Sequence, residues 1–86
     1  MEAETLALTP DQGLMEILDH TGDTKLIWDR KKNAEVEAAR TMFDSLRAKR
    51  YLAFQAEGDD GRKGKQIERF DPDMERLILV PPMVGG

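Results

Sequence analysis

Cysteine is missing from the chain. Its absence excludes disulfides, thiolate metal sites and a cysteine nucleophile, and it suits the cytoplasmic setting expected here. No segment approaches the roughly 20 apolar residues that a membrane-spanning helix needs. The opening Met1-Glu2-Ala3-Glu4 is acidic, where a secretory signal is basic, so no membrane partner is expected. Positive charge is also in deficit: 13 Lys and Arg stand against 17 Asp and Glu, a net charge of −4. Nucleic acid is therefore not an expected partner, because phosphates call for a net basic face. The one histidine, His20, has only scattered carboxylates for company and reads as a surface residue at a strand end.

Other polar groupings fall short of a site. Asp59-Asp60 and Asp71/Asp73 lack the alternating ligands and distal glutamate of an EF-hand loop. Gly58 to Gly64 is glycine-rich, but it has neither P-loop spacing nor a helix to open. Ser45 has no base near it in sequence. With no catalytic residue, metal site or cofactor to name, the chain is not expected to be an enzyme.

What is present suits one small domain. At 86 residues every apolar face must be used, because chains this short bury only about 60% of their unfolded surface. The 40% hydrophobic content is too high for full disorder. Residues 1–12 read as a flexible N-terminal arm or short added turn, 13–80 as the folded domain and 81–86 as an extended tail. Strand-like composition from Leu14 to His20 and from Thr24 to Asp29, around Thr21-Gly22-Asp23, predicts a hairpin with Leu26 and Trp28 on one face.

Asn33 is a suitable N-cap, and Val36, Ala39, Phe43 and Leu46 recur at helical spacing, with Met42 widening the stripe. Lys49-Arg50 places cations where the helix dipole favours them. A helix over 34–49 follows. Tyr51 to Glu57 alternates as a strand, with Leu52, Phe54 and Ala56 on one face. Gly58-Asp59-Asp60-Gly61 breaks it, and Lys65 to Phe70 reads as a short edge strand.

Arg76 to Val80 is a strand without polar interruption after its first residue, which marks it as flanked on both sides. Trp28, Phe43, Phe54 and Phe70 are expected in the core. The basic clusters Arg30-Lys31-Lys32 and Arg62-Lys63-Gly64-Lys65 fall at expected turns and read as solvated. The helix stripe must lie across a sheet. The fold class is α+β: a mixed four- to five-stranded sheet with one helix packed across it, its final strand central and beside the first.

That order, with the tail leaving from a central last strand, resembles the β-grasp fold. The close of the chain, RFDPDMERLILVPPMVGG, resembles the ends of ubiquitin-like and sulfur-carrier proteins, especially the Pro-Pro-x-x-Gly-Gly tail of the molybdopterin-synthase small-subunit type. The similarity of order spans roughly 14–86, and the specific motif only Pro81 to Gly86. The resemblance implies a carrier whose Gly86 carboxylate is adenylated by an E1-like enzyme for sulfur transfer or protein conjugation. ATP is then used by the partner, and a JAB-type metalloprotease or a sulfurtransferase is a further partner of the same kind.

Gly85 and Gly86, lacking Cβ atoms, suit a narrow channel. Pro81 and Pro82 would hold the exit extended and reduce the ordering cost of insertion, and Met83 and Val84 would supply apolar grip. A second reading stays open: a structural or adaptor protein, such as a phage virion or other assembly component, whose tail docks on a neighbouring subunit.

Overall fold

The computed structural model describes residues 8–57 and 62–82. Three sequence expectations lie outside that range: the arm over 1–7, the break at Gly58-Asp59-Asp60-Gly61, and Met83, Val84, Gly85 and Gly86 of the tail. The described elements are β1 (Gln12–Asp19), β2 (Gly22–Asp29), α1 (Asn33–Ala48), β3 (Leu52–Glu57), β4 (Arg62–Ile67) and β5 (Arg76–Val80). They form an α+β fold in which one helix lies on one face of a five-stranded mixed sheet ordered β2-β1-β5-β3-β4. The aliphatic run of β5 is flanked on both sides, parallel to β1 and antiparallel to β3, as its sequence requires.

β1 and β2 pair without a slip from Gln12↔Asp29 to Asp19↔Gly22. The expected turn moves toward the N-terminus, to His20-Thr21. The reason is Asp19, whose Oδ1 accepts hydrogen bonds from the Thr21 N–H at 2.8 Å and the Thr21 hydroxyl at 2.6 Å. Gly22 then opens β2 at φ +131, with nothing near the position a Cβ would take. Conformation, not space, demands glycine there.

The helix begins one residue earlier than expected, and Asn33 is not its cap. Lys32 holds that place in an extended conformation without a side-chain capping bond. Glu35 in the first turn instead reaches back to accept the Asp29 N–H at 2.9 Å, tying helix start to strand end. At the other end, Tyr51 N–H donates to the Leu46 carbonyl at 3.0 Å and Arg50 N–H to the Arg47 carbonyl at 2.9 Å. This is a Schellman motif, and Arg50 occupies its left-handed position at φ 73. Glycine is the usual residue there, because a side chain costs about 1 kcal/mol in that conformation.

The core lies between helix and sheet. Ala39, Phe43 and Leu46 point down from α1, and Met15, Ile17, Trp28, Ala53, Ile67, Leu77 and Leu79 point up to meet them. Phe70 enters from the segment after β4, its ring 5.0 Å from that of Trp28 and 5.9 Å from that of Phe43. Val36 is only partly buried, and Met42, 40% exposed, lies on the outer face. The expected widening of the stripe does not occur, because Met42 follows Ala38 and Thr41 around to the solvent side.

Phe54 is also corrected. Ala53 pairs with Leu79 and Ile67 and takes the helix-facing position, which puts Leu52 and Phe54 on the opposite face. A period-2 pattern sorts side chains into two faces but does not say which one the helix covers. The edge strand starts earlier than expected, at Arg62, so the Arg62-Lys63-Gly64-Lys65 cluster is strand, not turn. It ends at Ile67, because Phe70 leaves the sheet to join the core.

The indole of Trp28 lies flat against Gly13, its register partner on β1, so closely that a methyl group at Gly13 would sit inside the ring. The indole cannot slide away, because its Nε1 donates to the Pro72 carbonyl at 3.1 Å. Gly13→Ala is expected to destabilise the fold by about 1–3 kcal/mol, read by denaturant unfolding. An unchanged midpoint would mean that the indole is not held.

Arg30, expected as part of a solvated cluster, is instead a clamp. Its Nε donates to Pro72 O at 2.7 Å, Nη1 to Pro10 O at 2.9 Å and Gln12 O at 3.1 Å, and Nη2 to Asp73 O at 3.3 Å and Met74 O at 2.8 Å. Every guanidinium N–H is directed at a backbone carbonyl. Residues 9–12, read from sequence as the end of the arm, are thereby a turn running into β1, fastened to the loop that precedes β5. Lys31 and Lys32 remain exposed, as expected.

Candidate functional site: the root of the C-terminal tail

Of the expected site residues, the structure describes Pro81 and Pro82. β5 ends at Val80, Pro81 is half-buried and Pro82 exposed, and neither belongs to a strand. A proline has no N–H to offer a neighbouring strand, so the ladder that holds β5 stops where the two prolines begin. The register then fixes what surrounds this exit.

Val80 pairs with Leu52, the first residue of β3, and Leu79 pairs with Ile17 near the end of β1. The same end of the sheet therefore carries the His20-Thr21 turn on one side of β5 and the end of α1 on the other. Tyr51 is the link to the helix: its N–H is held by Leu46, and its carbonyl accepts Arg47 Nη1 at 2.8 Å.

Charge divides across this end. On the β1–β2 side, hydrogen bonds from the Thr21 hydroxyl and N–H hold the Asp19 carboxyl below the usual carboxylate range. Asp23 is lowered by its hydrogen bond from Lys25, and Lys25 is raised by the same contact. Lys25 Nζ lies 2.8 Å from Asp23 and 3.7 Å from Glu16, its cross-strand partner. On the helix side stand Lys49 and Arg50, both exposed and without an ion pair among the described residues. Sequence reasoning assigned these two only a helix-dipole role. The signal that could have singled out Arg50 was the absence of glycine at the end of a well-defined helix.

The sheet face away from the helix is partly apolar. Leu14 and Ile78 are buried there, Leu18, Phe54 and Val80 are half-buried, and Ile27 and Leu52 are 37% and 40% exposed. His20 is exposed on its turn. Among the described residues no three His, Cys, Asp or Glu side chains are grouped so as to hold a metal ion, and no helix is long and apolar enough to cross a membrane. What this end of the molecule offers is a central strand delivering two prolines outward, set between a turn rich in carboxylates and a cationic helix end. No family model, curated protein or solved structure matches the chain.

Proposed function

We propose that this chain is a β-grasp-like carrier of the ubiquitin-like or sulfur-carrier type, whose Pro81-Pro82-Met83-Val84-Gly85-Gly86 segment is presented to an E1-like adenylating enzyme. The observation that supports it most is the placement of β5. A strand held on both sides gives the segment a rigid root, and Pro81-Pro82 interrupt the ladder directly after it. A partner can then take hold of the tail without disturbing the sheet.

The chemistry assigned to the tail is acyl activation. An oxygen of the Gly86 carboxylate, whether at the chain's own end or exposed by cleavage after Gly86, attacks the α-phosphate of ATP. Pyrophosphate leaves and an acyl-adenylate forms. Sulfide, or a thiolate of the partner, then attacks the acyl carbon and AMP leaves, giving a thiocarboxylate or a thioester that can pass to an amine. In this reading the chain contributes the carboxylate and its delivery, and the partner contributes the catalytic groups. A sulfurtransferase or a JAB-type metalloprotease would act on the same tail.

Pyrophosphate release tests this reading. Gly86→Ala is expected to lower release by on the order of a hundredfold, since a small misplacement at a reacting centre costs that much. Its Tm should stay within a few degrees of the unaltered chain, because β5 ends at Val80, six positions before Gly86 in sequence. A large fall in Tm would assign the tail to the packed structure and favour a structural role. Normal release by Gly86→Ala would show that the terminal glycine is not what the partner reads.

A further inference from the structure

The face of the sheet away from α1 is unevenly hidden. Leu14 on β1 is 1% exposed and Ile78 on β5 is 5% exposed, and neither belongs to the core cluster under the helix. Leu52 shares this face and stands on β3, which is also flanked on both sides, yet it keeps 40% exposure. Ile27, the register partner of Leu14, keeps 37%. Cross-strand neighbours stand beside a side chain, not over it, and the one described helix lies on the other face. Something narrow must therefore cross β1 and β5.

The path of the chain into β1 points to what it is. Gln12 N–H donates to the Thr9 carbonyl at 3.0 Å, with Pro10 second in the turn, so the chain reverses as it enters β1. Residues before Thr9 thus come back along β1. Both edges of β1 are taken, by β2 and β5. Its helix side is filled, by the indole against Gly13 and by the core around Met15 and Ile17. The open face remains. Gln12 shares that face with Leu14 by strand alternation, and its Oε1 accepts the Thr9 N–H at 3.0 Å, which sets Thr9 on the same side. Leu8, just before it, is half-buried.

We propose that residues 1–8, MEAETLAL, are a strap that folds back over the open face and seats Leu6 and Leu8 on Leu14 and Ile78. The length fits. Seven residues span at most about 25 Å, and Leu14 to Leu18 is about 13 Å of strand. The charge fits as well. Glu2 and Glu4 are the charged side chains of the strap, and Arg76, half-buried as the register partner of Leu14, has no carboxylate partner among the described residues. A strap one chain wide hides the middle of the face and leaves Ile27 and Leu52 open at its margins. It is independent of the tail chemistry.

The lack of cysteine makes the test direct, because one introduced thiol carries the only label. In the full chain, a spin label on Ala3→Cys is expected to remove most of the amide signal intensity of β1 and β5 and to spare Thr41 and Asp44, exposed on the outer side of α1. Adding Leu6→Asp and Leu8→Asp should restore the β1 and β5 signals while the shifts of α1 stay in place. A mixture of spin-labelled chain with unlabelled, isotope-enriched chain should show no such loss.

Loss of the α1 signals instead, or of neither set, would overturn the strap and leave the open face to another protein. Loss of the β1 and β5 signals in the mixture would give the cover to a second copy of the chain and overturn the strap equally.

Discussion

Arg30→Ala is expected to lose about 2–4 kcal/mol of stability, although sequence composition places Arg30 in an ordinary surface cluster. The side chain joins parts of the chain remote in sequence: the Pro10 and Gln12 carbonyls at the start of β1, and those of Pro72, Asp73 and Met74 before β5. A charged donor to a neutral acceptor contributes more than a neutral pair. The gain is limited because the site is half-buried, and water can replace some of the bonds once the guanidinium is gone. The loss should nevertheless exceed that of a surface salt bridge, about 0–1 kcal/mol.

Arg30→Lys separates geometry from charge. An ammonium keeps the charge but gathers its donors at one point, so it cannot reach carbonyls on both sides as the planar fork does. It is expected to recover less than half of the lost stability. If the Arg30→Lys variant matched the unaltered chain in urea unfolding, charge alone, and not the fork, would secure the two segments. Trp28 is coupled to the same place, because the Pro72 carbonyl accepts both the indole N–H and Arg30 Nε. Loss of Arg30 should therefore also shift the tryptophan fluorescence of the folded state.

Phe43→Ala is expected to cost about 3–5 kcal/mol, enough to threaten a domain of this size, since native domains have only about 0.05–0.15 kcal/mol of stability per residue. Phe43 is fully buried on the helix stripe, and its ring stands against that of Phe70, which in turn meets Trp28 edge-on. Truncation removes the transferred apolar surface and leaves a cavity beneath a helix that cannot sink to fill it while Leu46 and Ala39 hold it off the sheet. Met42→Ala, one residue away on the solvent side, should change stability by no more than about 0.5 kcal/mol. Similar losses at the two positions, measured by thermal unfolding, would mean that the helix is rotated from the orientation described.

The contrast between Phe43 and Met42 shows what the sequence could reveal and where it stopped. Helical spacing found Ala39, Phe43 and Leu46, because burial of one stripe leaves a regular trace. The uninterrupted aliphatics of β5 disclosed its central place, since only a strand flanked on both sides can carry them. Met42 was misplaced because an apolar residue at the margin of a stripe is compatible with either side. Phe54 was misplaced because the alternation of β3 is symmetric, and the helix-facing role fell to the small Ala53.

Arg30 left no local trace at all. Its partners are carbonyls, which every residue possesses, brought to it from sequence distances of 18 to 44 residues. The tail motif was legible as composition, and the structure adds the setting of its root: Leu52 and the end of α1 on one side, the Asp19–Gly22 turn on the other.

The measurement that bears most directly on the proposed function is the intact mass of the chain after incubation with ATP, sulfide and each E1-like adenylating enzyme of the same organism. An ATP-dependent change is expected, to the acyl-adenylate without sulfide and to the thiocarboxylate or a conjugate with the acceptor present. Fragmentation should place the change on Gly86. An unchanged mass with every such enzyme, under conditions where each enzyme activates another substrate, would contradict the tail-activation reading.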